Sequence, residues 1–512
     1  MTDAAKQGRV YLVGAGPGDP GLLTLRGAEC LAQAEVVLYD YLANPLLLDH
    51  APSQATRICL GKHGHTRVWQ QEEINQKMVD CAQAGQTVVR LKGGDPAIFA
   101  HLGSETAALR AHAIPFEVVP GITSALAVGS HAEIPLTHRD DASAVAFVTG
   151  KEAPGKAERM DYSGLARFPG TLVFYMGVTT ASTWVQGLLT GGKPPETPVA
   201  LVRRVSCADQ QVIRCRLDEV VDRVTPRTKL PPPVLAVVGP AAARAPESSW
   251  FTNRHLFGQT ILVTRAAHQA ADLQRLLQEA GAQVRSQPAI EIGPPEDPFP
   301  LQRAIADVES FDWIVFSSRN GVNYFFDALI DVGQDARALH RASLAAIGPA
   351  TAEALSEYAL RADIVPETYR AESMVDSLCD AAAGKRFLLV RASRGREVLA
   401  EGLAAAGAEV TQVVAYSSRD IATADTEIVA SLKAGHIDWT TVTSSAIARS
   451  LVQLFGDALR QTKLVSISPV TSATLRELGY EPAAEATSYT MEGVVAAIAP
   501  GQLVRSKRDP GP

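Results

Sequence analysis

The second half of this chain repeats itself, and that duplication limits its folds more than any other feature. Ile261-Leu-Val-Thr-Arg265 returns as Phe387-Leu-Leu-Val-Arg391, and Ala280-Gly-Ala-Gln-Val284 as Ala406-Gly-Ala-Glu-Val410. Phe311-Asp-Trp313, ahead of Ser317-Ser318, returns as Ile437-Asp-Trp439 ahead of Ser444-Ser445. These elements share a displacement of 126 positions (265 to 391, 281 to 407, 312 to 438). A fourth, Ala346-Ile-Gly-Pro-Ala-Thr351, returns 120 positions on as Ser466-Ile-Ser-Pro-Val-Thr471. A solenoid stacks more and shorter repeats, so two copies of one α/β unit are expected. Two such units make two lobes, and the cleft between lobes is a natural place for a small ligand.

Strand-like apolar runs alternate with amphipathic stretches along the whole chain, which predicts an α/β fold. In the first half, strands are expected at Val10–Val13, Glu35–Tyr39, Thr87–Leu91, Ser143–Val148, Thr171–Tyr175, Pro198–Val202 and Val234–Val238. At roughly 100–200 residues per domain, 512 residues hold about three or four. We expect a two-lobed domain over 1–240, a linker at 241–257 and a second two-lobed domain over 258–500. In the latter, 258–290 and 421–500 form one lobe and 291–420 the other, with a disordered tail at 501–512. The net charge of −7 gives no support to nucleic-acid or membrane-surface binding. The six scattered cysteines form no Cys-x-x-Cys pair, which argues against a disulfide framework or zinc site and fits a reducing cytoplasm. The first residues carry no signal-peptide pattern, and no apolar run is long enough to span a bilayer.

Gly14-Ala-Gly-Pro-Gly-Asp-Pro-Gly21 follows a predicted strand and opens a helical stretch. A dinucleotide loop, with Asp40 as its ribose acid, is one reading. The spacing is Gly-x-Gly-x-Gly rather than Gly-x-Gly-x-x-Gly, and Pro17 and Pro20 remove donors that a pyrophosphate needs. Gly93-Gly94-Asp95-Pro96 ends another strand, where open sheets bind ligands, although alone it fits a turn equally well. Lys62, His63, His65 and Arg67 crowd one segment, as a solvated loop or as a rim for carboxylates. The two histidines have no third ligand nearby, so no metal site is expected.

Val10-Tyr-Leu-Val-Gly-Ala-Gly-Pro-Gly-Asp-Pro-Gly-Leu-Leu-Thr-Leu-Arg26 resembles the opening signature of uroporphyrinogen-III C-methyltransferases. Val37-Leu-Tyr-Asp-Tyr41, Gln71–Asn75, Val88–Pro96, Val118–Ser124, Ile134–Arg139, Phe174–Gly177 and Pro198–Arg203 continue the pattern in order, over about residues 8–240. The resemblance implies a two-lobed methylase fold, distinct from the common Rossmann one, with S-adenosylmethionine between the lobes. It places Pro17, Gly93, Gly94, Asp95, Ile98, Thr123, Ser124 and Met176 against that donor. Val205 stands where the family has glycine, and its contact is through the backbone. Asp40 matches the proposed proton acceptor and Lys62 the proposed donor. Arg67, Arg139 and Arg204 could orient an eight-carboxylate substrate. Ala100-His-Leu-Gly-Ser-Glu105 departs from the family's Gly-Arg-Gly-Gly-Glu-Glu, which leaves substrate contacts there open. A homodimer through this half is implied by the family alone.

In the second half, Thr260–Arg265, Phe311–Val322, Ala346–Pro349, Val365-Pro366, Tyr416 and Ser466–Thr471 are similar to uroporphyrinogen-III synthase. That family closes hydroxymethylbilane to uroporphyrinogen III with inversion of one ring and loss of water, without metal or cofactor. Tyr416 matches the tyrosine that assists hydroxyl departure, although a hinge-packing role is equally open. Ser318 and Thr471 are candidate carboxylate contacts, with Ser468 in place of a usual glycine. The combined expectation is a bifunctional enzyme taking hydroxymethylbilane through uroporphyrinogen III to precorrin-2, which siroheme and cobalamin synthesis share. The alternative is a methyltransferase joined to a non-catalytic binding module.

Overall fold

A computed structural model describes residues 8–61, 69–153, 155–156, 159–224, 230–395 and 397–499. Lys62, Arg67, the two neighbouring histidines and the predicted tail lie outside them. The chain builds four five-stranded sheets, two in each half. The first holds Thr56–Cys59, Val36–Tyr39, Thr87–Lys92, Arg9–Gly14 and Phe116–Val119, in that order and all parallel. Its inner strands are largely apolar because helices cover both faces, with Arg90 and Lys92 of Thr87–Lys92 the buried charged exceptions. Val10, Leu12, Val37, Leu38, Val88 and Val89 have almost no exposed surface. The second sheet holds Val145–Thr149, Thr171–Tyr175, Val234–Val238, Pro198–Arg203 and Gln211–Arg216. Only its first pair is parallel; the other pairings are antiparallel. Thr56–Cys59, Phe116–Val119 and Gln211–Arg216 were not expected. All three are edge strands with partly exposed, polar-interrupted sequences, so no apolar run marks them.

The duplication has a particular spatial form. One sheet runs Gln283–Ser286, Thr260–Val263, Trp439–Val442, Lys463–Ser466 and Ala484–Glu485. The other runs Ile290–Gly293, Glu409–Asp420, Arg386–Ala392, Trp313–Phe316 and Ser343–Ala346. Each sheet therefore takes two strands from the first copy's sequence and two from the second's, plus one added edge strand. The registers repeat as well. Ile261 faces Val284 and Trp439, just as Phe387 faces Val410 and Trp313. Both sheets pack apolar side chains against their helices, with Phe316, Phe325 and Phe326 in one core and Leu262, Leu432 and Leu451 in another.

The segment joining the halves is packed rather than free. Phe251 and Leu256 are buried, and the Trp250 indole N–H donates to the Ser130 carbonyl at 2.7 Å. The Arg254 guanidinium lies 4.5 Å from the Trp250 ring centroid and donates to the Gln278 carbonyl at 3.1 Å. The Gly258 N–H bonds the Ala208 carbonyl at 2.9 Å. Among the described residues, no helix is long and apolar enough to cross a membrane.

Candidate active sites

In the first half, three loops leave the C-terminal ends of the parallel strands, where such sheets bind ligands. Gly16 and Gly94 exchange two backbone hydrogen bonds, at 2.8 and 3.2 Å. This approach is too close for side chains. A Cβ on Gly121 would fall 2.2 Å from the Gly94 carbonyl oxygen, and one on Gly14 would fall 2.5 Å from the Gly121 Cα. Asp95 fastens the same loops, since its carboxylate accepts from Ala97 N–H at 2.8 Å and Gly121 N–H at 2.9 Å. The glycine loop is held from the second lobe too, where Ser206 Oγ accepts from Asp19 N–H at 3.2 Å. Burial pushes the Asp19 carboxyl up, but His131 and the Gly21 N–H outweigh it and hold it below the usual range.

These loops form one wall of a cleft of about 730 Å³, within the about 300–1,000 Å³ common for small-molecule sites. Pro17, Asp40, Gly93, Gly94, Asp95, Ile98, Thr123 and Ser124 line it from one side, and Met176, Arg204 and Val205 from the other. Thr123 Oγ1 and the Tyr175 hydroxyl, 2.7 Å apart, tie the two sides together. Phe99, His101, Met176 and Arg204, all in the lining, have φ of +51°, +58°, +53° and +46°. Non-glycine residues avoid that region, so backbone strain gathers at this cleft. Arg204 donates to Asp209 at 2.7 Å, and Arg139 lies exposed on a turn outside the lining.

A charged network beneath the cleft did not emerge from the motifs. Arg90 is buried and pairs with Asp40 at 2.5 Å and with Glu105 at 3.1 Å. Lys92, also buried, pairs with the other Glu105 oxygen at 2.6 Å. Burial lowers the Lys92 amine from its ordinary value, the Arg90 charge adds to this, and Glu105 opposes both. The second Asp40 oxygen accepts from Gly93 N–H at 3.2 Å, so the carboxylate is clamped beside the glycine loop. The signal was present: Arg90 and Lys92 alternate within an otherwise apolar parallel strand, and buried charges need partners.

In the second half, Tyr416 is buried on the long strand Glu409–Asp420. The ladder slips between Arg391 and Ala392, so Val414 and Tyr416 face successive residues of the neighbouring strand. Such a bulge re-aims a side chain. The Tyr416 hydroxyl lies 3.0 Å from Ser318 Oγ, which also caps the helix Arg319–Asp331 by accepting from Gly321 N–H at 3.0 Å. Burial pushes the Tyr416 phenol up, while Ser318 and Asn320 oppose it. Tyr324 stacks on its ring at 5.8 Å. Thr471 is buried in the other lobe beside Ser468, 3.2 Å between their hydroxyl oxygens. The lobes meet through a Gln269–Asn320 hydrogen bond and an edge-on contact of Tyr369 with Tyr489 at 6.2 Å. The structural partner of Ser318 is Ser444, which caps Ser445–Phe455 in the same way, so the seryl pairs align one residue earlier than their spelling implies. No group of three or more metal-ligating side chains occurs among the described residues.

The geometry defines two classes of site, a glycine-walled cleft between the first two lobes and a polar lobe boundary near Tyr416 in the second half. A model of the tetrapyrrole (corrin/porphyrin) methylases matches residues 9–221, and one of uroporphyrinogen-III synthase HemD matches 271–496. A porphyrin biosynthesis protein HemD of Ruminiclostridium josui is 32% identical over 492 residues, 96% of this chain and 95% of the relative. An S-adenosyl-L-methionine-dependent uroporphyrinogen III methyltransferase of Methanosarcina barkeri is 46% identical over 233 residues, 45% of this chain and 91% of the relative. A crystal structure of the Thermus thermophilus uroporphyrin-III C-methyl transferase complexed with S-adenyl homocysteine covers 46% of this chain and 99% of its own, at 41% identity and a TM-score of 0.40. The chain belongs to the porphyrin-biosynthesis family that joins a tetrapyrrole methylase to a uroporphyrinogen-III synthase.

Proposed function

We propose that the chain performs two consecutive reactions. The second half closes hydroxymethylbilane to uroporphyrinogen III, and the first half methylates that product twice to precorrin-2. The carrying observation is convergence: one cleft gathers Pro17, Gly93, Gly94, Asp95, Ile98, Thr123, Ser124, Met176 and Val205 around Asp40. Bare glycine backbone with Thr123 on one side and Met176 on the other suit S-adenosylmethionine, a small ligand with many hydrogen-bonding groups. When bound there, it supplies an electrophilic sulfonium methyl. Asp40 is the proton acceptor and its ion pair with Arg90 holds it oriented. Lys62 is the proton donor, and Arg67, Arg139 and Arg204 meet substrate carboxylates.

In the synthase half, the C–O bond of the terminal hydroxymethyl group breaks. The Tyr416 phenol gives its proton to the departing oxygen, which leaves as water, and Ser318 orients the phenol. Ser318 and Thr471 contact substrate carboxylates, and no cofactor is needed. Domain limits of 1–240 and 258–500, a homodimer through the methylase half and a cytoplasmic location without nucleic-acid partners complete this reading. Exposed Leu25 and Leu126 give the methylase half apolar surface for such a dimer.

The test uses the whole chain. Without S-adenosylmethionine, hydroxymethylbilane should yield uroporphyrinogen III; with it, precorrin-2, followed by absorbance and mass. Absence of cyclisation, with methylation of supplied uroporphyrinogen III intact, would favour a non-catalytic binding module in the second half.

A further inference from the structure

The duplication supplies an internal control for one arginine. Arg265 and Arg391 occupy the same place in the two copies, at the C-terminal ends of equivalent strands. Arg391 is neutralised: one of its guanidinium nitrogens donates to Glu397 and to Gln412, each at 2.6 Å. Arg265 is not. Its Nε is buried without a hydrogen-bond partner. One terminal nitrogen reaches the Met491 sulfur at 3.1 Å, a weak acceptor, and the other reaches Gln269 Oε1 only at 3.4 Å. No carboxylate of the described residues makes an ion pair with it. Burial lowers its affinity for its proton, with Asp272 a distant attraction and Arg319 a repulsion. A guanidinium cannot escape by deprotonating, so the charge stays and calls for an anion.

The location indicates which anion. Gln269, touched by Arg265, donates across the lobe boundary to Asn320. Asn320 is next to Arg319 at the start of the helix capped by Ser318, whose hydroxyl lies 3.0 Å from the Tyr416 phenol. A polar chain thus runs from Arg265 in one lobe to Tyr416 in the other.

We propose that Arg265 is a substrate-positioning residue of the synthase, binding an acetate or propionate carboxylate of the linear tetrapyrrole beside Tyr416; this rests on the cyclisation assigned above. Two matched lobes would hold a chain of four similar rings without preference for either end. An arginine left free in one copy and paired in the other breaks that equivalence. Such a difference is what a cleft needs to present one particular terminal ring for inversion.

The experiment compares Arg265→Met with Arg391→Met in the full chain, measuring KM and kcat for hydroxymethylbilane, the isomer formed and the melting temperature. For Arg265→Met the KM should rise about tenfold, the loss of one charge-assisted carboxylate contact, and the symmetric non-inverted macrocycle should form in larger share. Its melting temperature should equal or exceed that of the natural chain, because an uncompensated buried charge is gone. Arg391→Met should melt lower with KM unchanged. Arg265→Lys, which keeps the charge but loses the fork, should fall between. An unchanged KM in Arg265→Met overturns the proposal, and so does failure of that variant to fold, which would make the arginine a structural requirement. A natural chain that never cyclises hydroxymethylbilane overturns the underlying reading instead.

Discussion

The methylase cleft and the lobe boundary of the synthase half both join α/β lobes, yet they are built differently. The first is made of one-off local sequence: glycines where backbone meets backbone, strained residues at positive φ, and a charged quartet in which half-buried Asp40 joins buried Arg90, Lys92 and Glu105. The second is made of paired elements: two capping serines, two helices carrying Thr351 and Thr471 in their first turns, and two tyrosines that meet across the lobes. The features proposed to carry its function are the places where the pairing fails. Tyr416 has Ile290 as its counterpart, and free Arg265 has neutralised Arg391. The first cleft therefore depends on groups that no other region duplicates. The second is marked by departures from symmetry within a duplicated frame.

The largest effect should come from Asp40→Asn. It deletes the proposed proton acceptor but keeps the shape of the cleft, so methyl transfer should fall about 10²–10⁴-fold while calorimetry shows donor binding retained. Full turnover would remove Asp40 from the mechanism, and unaltered cyclisation in the same preparation serves as the internal reference. Glu105→Ala should come next. It strands the buried Lys92 charge and half of the Arg90 pairing, at a cost of about 3–5 kcal/mol. Chemical denaturation should show an early transition confined to the methylase half. If the midpoint does not move, the quartet is not what holds that cleft. Tyr416→Phe should lower the synthase kcat about 10²-fold, the low end for a positioned acid, because folding of the substrate within the cleft supplies much of the rate. Undiminished cyclisation would leave Tyr416 a packing residue on Tyr324.

What could be read in the sequence follows the same division. The α/β alternation and the duplication were legible, because buried parallel strands are written as apolar runs bounded by glycine. The glycine loop, Gly93-Gly94-Asp95 and Asp40 were legible as a set, since close backbone approach permits few residue types. Arg90, Lys92 and Glu105 were quoted within motifs without their connection, because ion pairs between a strand and a later helix have no fixed spacing. Arg265 was equally visible as a letter in a repeat. Its lack of a partner is a property of three-dimensional surroundings, and in the sequence it looks identical to Arg391.

The capping serines offer the smallest and most discriminating effect, because the two sites are alike in all but one contact. Ser318 accepts from Gly321 N–H at 3.0 Å and Ser444 from Ile447 N–H at 3.2 Å, each at the first turn of an amphipathic helix. Loss of either cap by Ser→Ala should cost about 1 kcal/mol of stability, read by urea denaturation. Only Ser318 also touches the Tyr416 hydroxyl, so only Ser318→Ala should slow cyclisation, by about three- to tenfold for one hydrogen bond that orients the acid. Equal losses of stability with unequal losses of rate would place the chemistry in the broken symmetry of the synthase. Equal losses of both would mean that the caps act through the rigidity of their lobes, and the asymmetry at Tyr416 would then need another source.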